Sequence, residues 1–120
     1  METLPRHSFT RRQFRAQERI FEQGDAGEHA FVVDGGLVEI AQVCGGRSRV
    51  LGRIGPGGIF GEMALIDDAP RMARATAVEN TVCLLIARDR FRAKIDAADP
   101  LIQALLRIFV QNIRSLTRET

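Results

Sequence analysis

Short apolar bursts, each closed by glycine or another turn residue, run through the first half of this chain. From Arg12 to Ile40 they fall at Phe14, Ile20 and Phe21, Phe31 to Val33, and Leu37 to Ile40, separated by Gly24-Asp25, Gly27 and Gly35-Gly36. Strands at this spacing point to an antiparallel β barrel or jelly roll. Gly35 and Gly36 can both take positive φ, so FVVDGGLVEI reads as a tight hairpin. A second hairpin is expected around Cys44-Gly45-Gly46, followed by a loop at Gly55-Pro56-Gly57-Gly58. The run TVCLLIA, residues 81 to 87, is continuously apolar, as a strand buried on both faces would be.

After residue 87 the period changes. DRFRAKIDAA sets Phe91 and Ile95 four apart, and Asp99-Pro100 supplies an N-cap followed by proline at the first helical position. Within 100–118, Ile102, Leu105, Leu106, Phe109, Ile113 and Leu116 keep helical spacing, and Leu101, Ile108 and Val110 widen the apolar face. That face is wider than one barrel needs; core packing, a movable lid and a dimer contact are all open. The expected organisation is one mainly β domain with flanking helices: an arm at 1–11, a jelly-roll barrel at 12–87 with a short helix inside it, and C-terminal helices at 88–120.

With 120 residues the chain has room for one core. Its formal charge of +2 comes with scattered arginines, and the densest run, Arg6, Arg11, Arg12 and Arg15, reads as a solvated face, so no nucleic-acid partner is expected. No apolar run approaches the length of a membrane helix and METLPRHSFT has no signal-peptide centre, so no membrane partner and a cytoplasmic location are expected. Cys44 and Cys83 have no metal-ligand spacing, and His7 and His29 form no HxH or HExxH pattern, so no metal is expected. An enzyme on a β-barrel scaffold would lack its usual ligands and general base.

The stretch FGEMALIDDAPRMARA, residues 60–75, departs from the strand pattern. Gly61 opens a turn into Glu62-Met63-Ala64-Leu65, about one helical turn, whose first amides have no internal partner and face an anion. Gly57, Gly58 and Gly61 would let a ligand approach the backbone closely. Arg71 follows Pro70, and its planar fork suits two phosphate oxygens. Glu62 would repel a phosphate and suits a neutral hydroxyl such as a sugar 2′-OH. An acid and an arginine in one loop thus describe a phosphate beside a ribose; the alternative is a plain Glu62–Arg71 ion pair. Asp67 and Asp68 read as solvated loop tips.

On these residues the chain resembles the cyclic nucleotide-binding domain family over residues 12–116. FGEMALIDDAPR resembles that family's phosphate-binding cassette, and IFEQGDAGEHAFVVDGGLVEI its first strands. The resemblance implies that Glu62 accepts from the ribose 2′-OH. Arg71 and the amides of Gly61, Ala64 and Met72 would hold the cyclic phosphate, with Met63 and Leu65 supporting the turn. It also implies a lid over the base drawn from Phe109, Ile113 and Arg114. Family members that favour guanine carry Ser or Thr after the arginine; Met72 stands there, which leans toward cAMP over cGMP. Arg74 is unusual for the family, and could either disturb the pocket or add a phosphate contact.

The expected function is therefore a stand-alone regulatory sensor, not an enzyme, with cAMP or cGMP as ligand and no cofactor. Its C-terminal helix would reposition on binding and pass the signal to an effector protein or a self-dimer. The alternative is a member of the fold that takes no nucleotide and serves as an interaction or dimerisation module.

Overall fold

A computed structural model describes residues 9–118. Residues 1–8, most of the expected N-terminal arm, with Arg6 and His7, lie outside the described residues. Eight strands and three helices follow in chain order: β1 (Thr10–Phe14), β2 (Arg19–Phe21), β3 (His29–Gly35), β4 (Val38–Cys44), β5 (Arg47–Ile54), β6 (Ile59–Phe60), α1 (Met63–Asp67), β7 (Arg74–Ala77), β8 (Thr81–Ala87), α2 (Arg88–Asp96) and α3 (Pro100–Thr117). The strands form two four-stranded antiparallel sheets, ordered β1-β8-β3-β6 and β2-β7-β4-β5, in the manner of a jelly roll. Strand β1 begins at Thr10, so the last residues of the expected arm belong to the first sheet.

Alternation along the strands explains the layering. Phe31 and Val33 of β3 and Cys83 and Leu85 of β8 join Phe14, Val38, Phe60, Ala75 and Ala77 in a core between the sheets. Their neighbours Ala30, Val32, Leu84 and Ile86 emerge on the opposite face and are covered by Leu65 of α1 and Phe91 of α2. The central strands β3 and β8 of the first sheet are therefore buried on both faces, which is why TVCLLIA has no polar alternation. Burial pushes the Cys83 thiol up to about 11, so it stays protonated and packs as a small apolar side chain.

The first expected hairpin is not one. β3 pairs with β6 and β8, and β4 pairs with β5 and β7, so residues 35–37 carry the chain from one sheet to the other. Gly36 makes that corner at φ +104°, where a Cβ would lie 2.4 Å from Thr81 Oγ1. The Thr81 hydroxyl, 1% exposed, donates to Glu79 O at 2.8 Å and accepts from Leu37 N at 3.2 Å, the second bond pinning the corner to β8. The two-residue turn with positive φ at both positions is Gly45-Gly46, at +57° and +79°, between the paired Cys44 and Arg47.

The helical boundaries follow from local chemistry. Asp99 caps α3 by accepting from Leu101 N at 2.8 Å, with Pro100 at the first turn. The Gln103 amide donates to Asp96 O and Ala98 O, fixing the corner between α2 and α3. Ile66, Ile95 and Val110, one from each helix, form a separate apolar cluster that sets α3 over α1.

Candidate functional site

Three phenylalanines from separate strands lay the floor. Phe31 and Phe60 stack with centroids 4.9 Å apart, and Phe21 lies 5.8 Å from Phe31 and 6.0 Å from Phe60. Arg71 rests on this floor, its Cζ 4.0 Å from the Phe21 centroid. Its side chain is nearly enclosed, with the residue 6% exposed. Nη1 donates to Gly61 O at 2.6 Å and Nη2 to His29 O at 2.8 Å. Nε has no hydrogen-bond partner, and among the described residues it is the buried side-chain polar atom left in that condition. Burial lowers the Arg71 pKa, opposed by the charges of Asp25, Glu62 and Glu28; a guanidinium remains a cation throughout the physiological range.

Backbone bonds hold this arginine in register with the turn between β2 and β3. Gly24 N donates to Arg71 O at 2.8 Å, and Arg71 N donates to Asp25 O at 2.9 Å. Gly27 lies against the same side chain; a Cβ there would come 2.7 Å from the Ala64 Cβ and 3.5 Å from Arg71 Cζ. Gly61, at φ +78°, brings its carbonyl onto the guanidinium where a Cβ would lie 2.8 Å from Nη1. Glu62 follows as the N-cap residue of α1, but its side chain makes no capping bond and is left to face the cavity.

The cavity, of about 160 Å³, is walled by Ile40, Ile54 and Ile59 and brings together Gly61, Glu62, Met63, Ala64, Arg71 and Met72. Arg114 of α3 also lines it, whereas Phe109 and Ile113 stand on the solvent-facing side of α3, 55% and 42% exposed. A second cavity of about 410 Å³ adjoins the first across Met72 and Arg114 and is bordered by Gln42 and Thr117. Gly57 and Gly58 line neither cavity; a Cβ on Gly58 would meet Ile54 at 2.4 Å, so these glycines serve the turn before β6.

Two other expectations change. Arg74 neither enters the pocket nor disturbs it: its Nε donates to Glu22 Oε1 at 2.8 Å, tying β7 to β2. The Arg74 bond, then that of Arg19, holds the Glu22 carboxyl below its ordinary pKa. Asp67 is not a solvated tip, whereas the Asp68 side chain is 53% exposed, as a loop tip would be. Asp67 accepts from Arg114 of α3, and Asp68 pairs with Arg88 and Arg92 of α2. Sequence reasoning also missed the aromatic floor, Gly27 and Thr117, whose hydroxyl lies 3.4 Å from the Met72 sulfur. Phe21 and Phe31 are visible in the sequence only as strand residues, because their convergence depends on pairing across the fold.

The Glu62 carboxyl is raised above its ordinary pKa, chiefly by burial, against lowering by its own backbone amide and by Arg71. An acid with a raised folded pKa favours folding fully below its unfolded value, and that contribution is lost as pH rises through the folded value. Ionised Glu62 therefore weakens the fold at neutral pH. Glu62→Gln is expected to raise the melting temperature by a few degrees at pH 7, with the advantage shrinking toward pH 4; an equal or lower melting temperature at pH 7 would contradict this.

Comparison with known proteins follows the same outline. A family model described as "Cyclic nucleotide-binding domain" matches residues 11–98. The chain is 35% identical over 112 residues to the cyclic AMP receptor protein of Thermus thermophilus, covering 92% of this chain and 52% of that protein. It is 31% identical over 102 residues to the cAMP-dependent protein kinase regulatory subunit of Dictyostelium discoideum, covering 82% of this chain and 31% of that one. The chain thus spans about half or less of the length of these relatives. The EAL enzyme Bd1971 in its cAMP-bound form superposes with a TM-score of 0.85 at 30% identity, covering 88% of this chain and 28% of that one. Its cGMP-bound form gives 0.86 at the same identity, over 90% and 29%.

Proposed function

The chain belongs to the cyclic nucleotide-binding domain family, and on that footing we propose that it is a regulatory sensor module that binds a cyclic nucleotide in the Arg71 cavity. The observation that carries this reading is Arg71 itself: a nearly buried cation lining a cavity, with Nε unpartnered and Glu62 beside it. Arg71 and the amides of Gly61, Ala64 and Met72 hold the cyclic phosphate. Glu62 accepts from the ribose 2′-OH, and Glu62→Gln weakens binding less than loss of Arg71, because a neutral acceptor replaces a charged one. Met72 offers no hydroxyl to a base, which favours cAMP over cGMP.

Of the three residues considered for a lid, Arg114 borders the cavity, and Phe109 and Ile113 serve a different surface. Ile102, Leu105, Phe109, Asn112 and Leu116 are spaced 3, 4, 3 and 4 apart, the a/d pattern of a helix that pairs with another helix. Residues 100–117 contain no acid, and their arginines, 107 and 114, are seven apart on another line of the helix, so a second copy meets no like charge in the seam. The output is a self-dimer through α3, which shifts position when nucleotide favours one of two arrangements. The two sequence relatives named above are a receptor protein and a regulatory subunit, and no catalytic step is assigned to this chain.

One observation favours the second reading, an interaction module that takes no nucleotide: Arg71 already has two carbonyl partners. Thermal unfolding separates the two. At a nucleotide concentration 100 times its dissociation constant the folded state gains about 2.7 kcal/mol, so the melting temperature should rise with cAMP and rise less with cGMP at equal concentration. No rise with either on a folded sample would leave the interaction module standing, and an equal or larger rise with cGMP would remove the cAMP preference.

A further inference from the structure

Arg71 is held at two of its corners, and a third contact decides where it aims. A guanidinium carries N–H donors on all three of its nitrogens, in one plane. Nη1 gives one to Gly61 O at 2.6 Å and Nη2 one to His29 O at 2.8 Å, while Nε has no partner. Those bonds fix a line through the two Nη atoms and leave the plane free to tilt about it. The tilt carries the Nε edge toward the cavity or away from it.

The contact that opposes tilting is the Phe21 ring. Arg71 Cζ lies 4.0 Å from its centroid, against 5.9 Å from that of Phe31. A ring face attracts a cation, most strongly away from water, and Arg71 is 6% exposed. The ring has little room to yield. It packs on Phe31 and Phe60 with centroids 5.8 Å and 6.0 Å away, and a Cβ on Gly61 would come within 3.3 Å of its Cε2. Phe21 itself borders the Arg71 cavity. A ring face steadies the cation without cancelling its charge, as a bonded carboxylate would.

We propose that Phe21 is a positioning residue for anion binding: its ring face sets the tilt of the Arg71 guanidinium so that the Nε edge meets the ligand's phosphate. The inference rests on the nucleotide-binding reading and extends it to a residue of β2, far in sequence from residues 60–75. Two carbonyl partners therefore do not exhaust Arg71, because they take the Nη atoms and leave Nε. Leucine in place of Phe21 fills much of the floor but presents no ring face, whereas tyrosine retains one.

The test uses the full chain with Phe21→Leu and Phe21→Tyr, each first shown to melt cooperatively. Without nucleotide, the Arg71 Nε–H proton resonance, assigned by its loss in Arg71→Ala, is expected upfield of the other arginines in wild type and Phe21→Tyr. The ring current shields a group lying over the ring, so in Phe21→Leu the resonance should return to the ordinary arginine range. Calorimetry is expected to show cAMP affinity falling roughly five- to thirtyfold in Phe21→Leu, the range of a desolvated cation–π contact, and by no more than about twofold in Phe21→Tyr. A folded Phe21→Leu chain that binds cAMP as wild type does would overturn the positioning role. So would equal losses in the two variants, or an Arg71 resonance that Phe21→Leu leaves unmoved. A wild type that takes up no cAMP, with its Arg71 resonance shifted as expected, would overturn nucleotide binding, and the part of Phe21 in it.

Discussion

Replacing Arg71 by alanine is expected to lower cyclic-nucleotide affinity by roughly 30- to 3,000-fold, the 2–5 kcal/mol usual for truncating one partner of a buried charge pair. The charge sits in an apolar enclosure over Phe21, where little else can neutralise a phosphate. The fold should survive. Arg71→Ala removes the donors to Gly61 O and His29 O, about 1–3 kcal/mol for each carbonyl left unpaired, from a stability typically about 5–15 kcal/mol. Arg71→Lys retains the charge but cannot serve both carbonyls and an anion with one planar fork, so its affinity should fall between the two. Calorimetry beside a circular-dichroism melt reads both effects. Unaltered affinity in a folded Arg71→Ala chain would contradict the site assignment.

The second large effect is expected on self-association. Phe109→Glu combined with Leu116→Glu places four carboxylates in the seam of a dimer built on α3, two from each copy. Leaving even one charge buried and unpaired costs on the order of 3–5 kcal/mol, so the dimer should dissociate at the concentrations where wild type is paired. Phe109 and Leu116 are 55% and 85% exposed in one copy, so the monomer's core is untouched and its melting curve should remain cooperative. Sedimentation equilibrium decides the matter. A wild type that is monomeric at high micromolar concentration, or a double variant that associates as wild type does, would contradict the assignment of this surface.

What could be read from the sequence was what is decided locally. Asp99-Pro100 caps α3 because the cap chemistry lies within two residues, and the two-sided burial of β8 is written in its uninterrupted apolar run. The outline of the site was legible for the same reason: Gly61, Glu62 and Pro70-Arg71 lie in one short stretch, and the structure brings Gly61, Glu62 and Arg71 around one cavity. The misreadings came from partners distant in sequence. Gly35-Gly36 has hairpin residues, yet β3 is already paired on both edges, so the chain must cross to the other sheet. Asp67 looks solvated until α3 folds back with Arg114. Arg74 looks placed for the pocket because it follows the cassette, but strand alternation turns it toward Glu22. The phenylalanine floor beneath Arg71 is assembled from β2, β3 and β6 and carries no local signature.

Isothermal calorimetry of the chain against cAMP, after unfolding and refolding to strip any carried-over nucleotide, tests the central claim most directly. Saturable binding with one nucleotide per chain, tighter for cAMP than for cGMP, is the predicted result. Absence of a binding isotherm for both nucleotides, on a sample that melts cooperatively, would contradict it.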